Sequence, residues 1–112
     1  MSLPPTRELD TRINQGFGRL AAGATGVLDP QSVPADAVGI AHNIAIVDNA
    51  GPGFVTPFPG GPLPLVAAGN VTAPGQVRSI LAFTKLSPAG TISYYAYMET
   101  DLVVDVTGYF QG

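Results

Sequence analysis

The sequence lacks cysteine and tryptophan, has a single lysine, Lys85, and contains only 12% charged residues. Without cysteine there is no disulfide framework, no thiol nucleophile and no thiolate zinc site. Five basic residues and a net charge of −3 leave no basic stripe, so nucleic acid is not an expected partner. No apolar run approaches the roughly 18 residues of a membrane-spanning helix, and membrane insertion is not expected either.

Glycine and proline are abundant instead, with 14 and 11 copies in 112 residues, and 46% of the chain is hydrophobic. This profile is typical of many short strands joined by tight turns. The length fits one domain with one core. We therefore predict a single all-β module over residues 1–112: an antiparallel β-sandwich, or a flattened barrel, of seven to eight strands. Residues 1–3 are interpreted as a vector-derived addition.

Two segments carry the clearest strand patterns. Residues 37–47 have two apolar faces, which predicts a central strand. The bulky face of that strand consists of Val38, Ile40, His42, Ile44 and Ile46. Residues 101–110 alternate between an apolar face for the core and a face that carries Asp105. The predicted core face of this last strand consists of Leu102, Val104, Val106 and Phe110.

The remaining strands are shorter. We predict them at residues 19–28, 54–58, 66–72, 76–84 and 91–98. Pro57 cannot donate a ladder hydrogen bond, so the strand at 54–58 is predicted to lie at a sheet edge or at a bulge. Phe54 and Phe58 are expected in the core.

Three segments together resemble a β-domain that occurs, often in tandem, in secreted and cell-wall-associated bacterial proteins. The opening, residues 5–12, is similar to a P-x-R-x-x-D-T-R motif, and the ending, residues 103–110, to V-V-D-V-x-G-Y-F. The second segment lies between them and consists of residues 33–43 and 51–60. His42 stands in it at a position where an aliphatic residue is expected. The resemblance implies an extracellular or cell-wall-associated accessory domain without catalytic activity.

The charged residues of the two terminal motifs form a candidate cluster. Arg7, Asp10 and Arg12 lie near the start of the chain and Asp105 lies near its end. A guanidinium binds a carboxylate through two parallel hydrogen bonds and tolerates burial better than an ammonium. We predict that Arg7 or Arg12 clamps Asp105, and that the four residues form structural ion pairs. Acid–base catalysis by the two aspartates is disfavoured, because adjacent arginines lower carboxylate pKa values.

His42 is the only histidine, so it cannot form an ordinary transition-metal site together with a second histidine or a cysteine. We predict a hydrogen-bonded interior or interface residue. Asn43 lies on the small face of the same strand and is expected to bond a neighbouring loop. Asp48, Asn49, Glu99 and Asp101 do not have EF-hand spacing and are interpreted as solvated turn residues. No metal and no cofactor are predicted.

Tyr94, Tyr95 and Tyr97 fall within four residues of each other. A tyrosine offers an apolar ring and a hydroxyl, so this group is a candidate platform for sugar rings or for a subunit interface. The leading hypothesis is a non-catalytic structural or adhesion module that packs against copies of itself or neighbouring modules. The alternative is a lectin-like domain that binds cell-surface polysaccharide. An enzyme is disfavoured, because the sequence contains no G-x-S-x-G motif, P-loop or metal-ligand cluster.

Overall fold

Alternating side chains and frequent turn residues fold the chain into eight strands. The computed structural model describes residues 1–112. The strands are β1 (Ser2–Asp10), β2 (Ala24–Leu28), β3 (Ala37–Val47), β4 (Gly53–Phe58), β5 (Gly69–Val71), β6 (Arg78–Lys85), β7 (Ile92–Ala96) and β8 (Asp101–Gln111). One turn of 3-10 helix, Thr11–Ile13, follows β1. The chain contains no helix that could span a membrane.

The strands form two antiparallel sheets of four. The first sheet has the order β1-β8-β3-β6 and the second has the order β2-β7-β4-β5. The predicted all-β sandwich is confirmed, and the sheets do not close into a barrel. β3 lies between β8 and β6, so its prediction as a central strand is also confirmed.

The predicted edge position of residues 54–58 is wrong, since β4 lies between β7 and β5. Pro57 is tolerated there because β5 pairs only with residues 53–55 of β4. Pro57 therefore lies beyond the end of that ladder, where its missing N–H removes no bond to β5. The predicted strand at 66–72 is likewise reduced to Gly69–Val71.

The core lies between the two sheets and is built from inward-facing strand residues. A cluster of 17 buried hydrophobic residues fills it, most of them aliphatic, with Tyr94 as the only aromatic member. The first sheet contributes, among others, Ile40, Ile44, Ile46, Leu102, Val104 and Val106, all with no exposed surface. The inward alternation predicted for β3 and β8 is therefore observed along the middle of both strands.

A β-bulge changes this alternation near the end of β8. The register between β3 and β8 shifts between Ala41 and His42, which leaves Thr107 as an extra residue in β8. An extra residue exchanges the two faces of a strand beyond it. Tyr109 consequently packs against the core, and Phe110 points outward with 43% of its surface exposed. The prediction that Phe110 belongs to the core face is wrong for this reason.

Candidate interaction surface

Arg7 and Asp105 form the ion pair that joins the first and last strands. The two residues are direct partners in the β1–β8 register. Nε of Arg7 donates to Oδ1 of Asp105 at 2.9 Å, and Nη2 donates to Oδ2 at 3.2 Å. This hydrogen-bonded carboxylate raises the pKa of the Arg7 guanidinium. The side chains are 47% and 28% exposed, so the pair lies at the surface.

Arg12 contacts Asp10 and is not the partner of Asp105. Its Nε and Nη2 each donate to one Asp10 oxygen at 2.9 Å. Asp10 also accepts from the Arg12 backbone N–H at 3.1 Å and so caps the 3-10 turn. The hydrogen-bonded Arg12 side chain lowers the pKa of Asp10. A carboxyl group held ionised in this way is unsuited to donate a proton as a general acid.

A second cluster, centred on Arg19, was not predicted from the sequence. Arg19 donates through Nε to Glu99 at 2.7 Å and through Nη1 to Asp101 at 2.8 Å. Asp48 lies 3.4 Å from the same Nη1. The oxygens of these three acids therefore gather around a guanidinium. The structure contains no group of three or more His, Cys, Asp or Glu side chains suited to hold a metal ion. The scarcity of cations in the sequence was the only signal that could have identified Arg19.

Asp101 and Asn49 are buried, contrary to their interpretation as solvated turn residues. Asp101 accepts a hydrogen bond from the Thr11 hydroxyl at 2.6 Å. That hydroxyl accepts from the backbone N–H of Leu102 at 2.9 Å. The Asn49 amide donates to the carbonyls of Gly51 and Ala73, at 2.8 Å each. Both residues therefore fix loops at the end of the sandwich that Arg19 occupies.

His42 and Tyr94 form a hydrogen-bonded pair inside the core. The two side chains have no exposed surface. His42 Nδ1 lies 2.9 Å from the Tyr94 hydroxyl, and Nε2 lies 2.9 Å from the Thr84 hydroxyl. Burial lowers the pKa of His42 to about 4 and raises that of Tyr94. Of the two roles predicted for His42, it takes the interior one. The placement of Tyr94 in a surface platform is wrong, because β7 turns it toward the core.

The other two tyrosines lie on the outer face of the second sheet together with Phe54. The Phe54 ring stacks on that of Tyr97, with centroids 5.3 Å apart and planes at 19°, and lies 5.9 Å from Tyr95. Phe54 is half-buried and outward-facing, so its prediction as a core residue is wrong. We call Phe54, Tyr95 and Tyr97 the aromatic cluster. Only Tyr97, 57% exposed, offers a large free surface.

The outer face of the first sheet carries a larger apolar surface. The middle strand β3 presents small residues there, among them Gly39 and Ala41. Phe83 from β6 and Phe110 from β8 lie over these small residues, with their ring centroids 5.9 Å apart. A Cβ atom at Gly39 would come within 3.3 Å of the Phe110 ring. The small face of β3 thus leaves room for contact between aromatic side chains of its two neighbours.

We call the exposed apolar residues of this face the Phe83 patch. Its members and their exposed fractions are Phe83 (67%), Leu81 (59%), Phe110 (43%) and Val38 (41%). The sequence placed Val38 on the inward face of β3, but a register shift between Ala37 and Gly39 turns it outward. A shallow depression of about 270 Å³ lies beside Phe83 and is lined by Val38, Gly39, Phe83, Thr84, Lys85 and Phe110.

Asn43 lies beside the Phe83 patch in the middle of the first sheet. It pairs in register with Leu81 on one side and Asp105 on the other. Its side chain is half-buried on the outer face and takes no part in the side-chain hydrogen bonds of the fold. The predicted bond from Asn43 to a loop is therefore wrong. The row of Leu81, Asn43, Asp105 and Arg7 marks where the apolar part of this face changes to its charged part.

No family model, no curated protein and no solved structure matches this chain. The resemblance of the terminal motifs to a bacterial accessory domain therefore stays a prediction. What the fold defines is an antiparallel sandwich with aromatic side chains on both outer faces, of which Phe83 on one face and Tyr97 on the other are the most exposed.

Proposed function

We propose that this chain is a non-catalytic structural or adhesion module of a secreted or surface-attached bacterial protein, and that it packs against copies of itself or neighbouring modules. The observation that carries the proposal is the Phe83 patch. Large apolar side chains grouped on an exposed surface mark interaction sites, whereas isolated ones do not. The extracellular bacterial setting rests on the resemblance of the terminal motifs.

The environment of the polar residues supports a role without catalysis. The only imidazole, His42, is inside the core, with its pKa lowered to about 4 and both ring nitrogens in hydrogen bonds. Asp10, Asp101 and Asp105 each bond an arginine. A general base must reach the proton that it takes from a substrate, and these groups are either enclosed or already paired.

The test is self-association measured by sedimentation or light scattering from micromolar to millimolar concentration. We expect the mean mass of the native chain to rise with concentration, and Phe83→Ser to reduce that rise. Tyr97→Ser is the matched control, since it removes a similarly exposed aromatic residue from the opposite face. A native chain that stays monomeric throughout, or a loss of association in the control alone, would contradict the proposal.

The lectin-like alternative is favoured by one observation, the aromatic cluster on the second sheet. Sugar rings stack on exposed tyrosine faces, and Tyr97 is the member best placed for this. If the alternative is right, polysaccharide pull-down should be lost in Tyr97→Ser and kept in Phe83→Ser. Polysaccharide binding that is kept in both variants would show that the aromatic cluster is not the sugar-binding site.

A further inference from the structure

The four sheet edges of the sandwich differ in how well they are protected. β5 has three residues and β2 has five, which makes them short edges. β1 is longer but contains Pro4, Pro5 and charged residues, and its register against β8 shifts twice. Short strands, prolines, charges and bulges are the usual protection against edge-to-edge pairing.

β6 lacks most of these protections. It runs for eight residues in unbroken register with β3 and contains no proline. Its only charges are Arg78 and Lys85, one at each end. No backbone hydrogen bond outside the strand ladders involves residues 78–85, so the second side of β6 has no main-chain partner. An edge of this kind is a template for another strand.

The ladder to β3 determines which groups face that free side. The Leu86 N–H donates to the Val38 carbonyl at 2.8 Å, continuing the β3–β6 register. Hydrogen-bonded and non-hydrogen-bonded pairs alternate in an antiparallel ladder. The even-numbered residues of β6 therefore bond β3. The odd-numbered residues, Ser79, Leu81, Phe83 and Lys85, direct their N–H and C=O groups to the free edge.

We propose that two copies of the chain join through these free edges, with the β6 strands antiparallel about a two-fold axis at Ala82. The inference rests on the proposed self-association and specifies its partner and geometry. Leu81 of each copy lies opposite Phe83 of the other, and Ser79 lies opposite Lys85. The two first sheets then form one eight-stranded sheet, and the two Phe83 patches become continuous.

Two features select this register: the free N–H and C=O groups of the odd-numbered residues, and the exposed apolar side chains of Leu81 and Phe83. Pairing of odd with odd residues excludes the arrangement in which Arg78 faces Lys85 of the second copy, where like charges would oppose each other. Among the allowed registers, centring on Leu81 sets Phe83 opposite Ser79, and centring on Phe83 sets Leu81 opposite Lys85. Only the register centred on Ala82 sets both exposed apolar side chains against apolar partners.

The strength of the contact follows from its size. Each hydrogen-bonded pair exchanges two bonds, so four pairs supply about eight, close to the roughly ten of a typical interface. The apolar surface available on Leu81 and Phe83 of both copies is on the order of 400 Å². This is a small area, and it predicts a weak, concentration-dependent dimer.

Charge substitutions at Ser79 test the register, because this residue is predicted to face Lys85 of the second copy. We expect Ser79→Glu to strengthen dimerisation and Ser79→Lys to weaken it, by roughly five-fold each at low salt, since two cross-strand pairs change together. Thr25→Glu and Thr25→Lys on β2 are matched controls, since they change the net charge equally at another edge. The two Thr25 variants should not show this pattern of stronger dimerisation with Glu and weaker dimerisation with Lys.

A covalent test uses the absence of cysteine in the chain. Ala82 is self-paired in a non-hydrogen-bonded position, where Cβ atoms approach closely enough for a disulfide. Ala82→Cys should therefore form a disulfide-linked dimer on mild oxidation, and Thr6→Cys on β1 should not. Equal cross-linking of both variants would overturn the proposal.

The outcomes separate this inference from the proposed function. If Phe83→Ser abolishes association but Ser79 shows no sign dependence and Ala82→Cys does not cross-link, the patch associates by another geometry and the β6 pairing is wrong. If the native chain is monomeric up to millimolar concentration, both proposals fail.

Discussion

Strand β8 carries two carboxylates four residues apart, and the two have opposite environments. Asp101 is 7% exposed and bonds the Thr11 hydroxyl and Arg19. Asp105 bonds Arg7 through both oxygens, but the pair faces solvent. By hydrogen-bond geometry alone, the bidentate Asp105 pair looks the stronger of the two.

Burial reverses that ranking. An exposed ion pair typically contributes about 0–1 kcal/mol, because water and salt screen it. A buried polar group that loses its partner costs several times more, since water cannot replace the lost bond. We therefore expect the stability of the fold to depend on the hydrogen bonds of Asp101 and very little on the Arg7–Asp105 ion pair.

The largest expected effect is that of Asp101→Ala. The change leaves the buried Thr11 hydroxyl without its acceptor and removes one carboxylate from Arg19. We expect the free energy of unfolding to fall by about 3 kcal/mol, measured by chemical denaturation. Asp105→Ala is the control in the same strand. Equal losses in the two variants would show that burial does not separate the two sites.

Acid is the next test, because His42 adds a second buried polar group to the comparison. Its pKa is lowered from 6.5 to about 4 in the fold, so between these values the unfolded chain binds more protons than the folded one. The contribution of His42 to the free energy of unfolding is therefore fully present above pH 6.5. It falls as the pH drops below 6.5 and stops falling below about pH 4.

Between pH 8 and pH 5 this loss should reach about 2 kcal/mol, measured by unfolding at a series of pH values. Asp105→Ala should lose stability with acid as the native chain does. His42→Gln should not show this acid-dependent loss of stability. A His42→Gln variant with the native pH profile would assign the acid sensitivity to other groups.

The smallest expected effect is that of Arg7→Ala. The side chain is 47% exposed, so we expect a loss of less than about 1 kcal/mol that shrinks further in high salt. Thermal unfolding at two salt concentrations measures it. Arg7→Lys keeps the charge but loses the forked contact, and it should lie between the native chain and Arg7→Ala. A salt-independent loss of stability of several kcal/mol would contradict this expectation and show that the Arg7–Asp105 ion pair is needed to hold β1 against β8.

The sheet architecture was predictable because it follows from side-chain period. The alternation in residues 37–47 and 101–106 predicted β3 and β8 and most of the residues on their buried faces. Bulges were not predictable in the same way. The isolated glycine Gly108 is a signal for a bulge nearby, but it does not identify Thr107 as the extra residue, which decides whether Phe110 or Tyr109 is inside. The same is true of Val38.

The candidate surfaces were predictable only in part, because exposure depends on which strands are neighbours. The sequence identified a tyrosine group, but strand alternation places Tyr94 in the core, and β4 supplies Phe54 in its place. Phe83 showed no special signal, because the alternation of β6 does not say which of its two faces the second sheet covers. Arg19 was missed because its partners Glu99 and Asp101 are some 80 residues away along the chain.

The pairing of the first strand with the last has a mechanical consequence. Thr6 lies opposite Val106 and Leu9 lies opposite Val104, so β1 starts beside the end of β8. Both ends of the chain are thus at the same end of one ladder, whose bonds run perpendicular to the strands. A pulling force applied at the two ends would act along these bonds and break them one after another, so that β1 separates from β8 stepwise. The module should therefore yield at low tension, well before its core is disturbed.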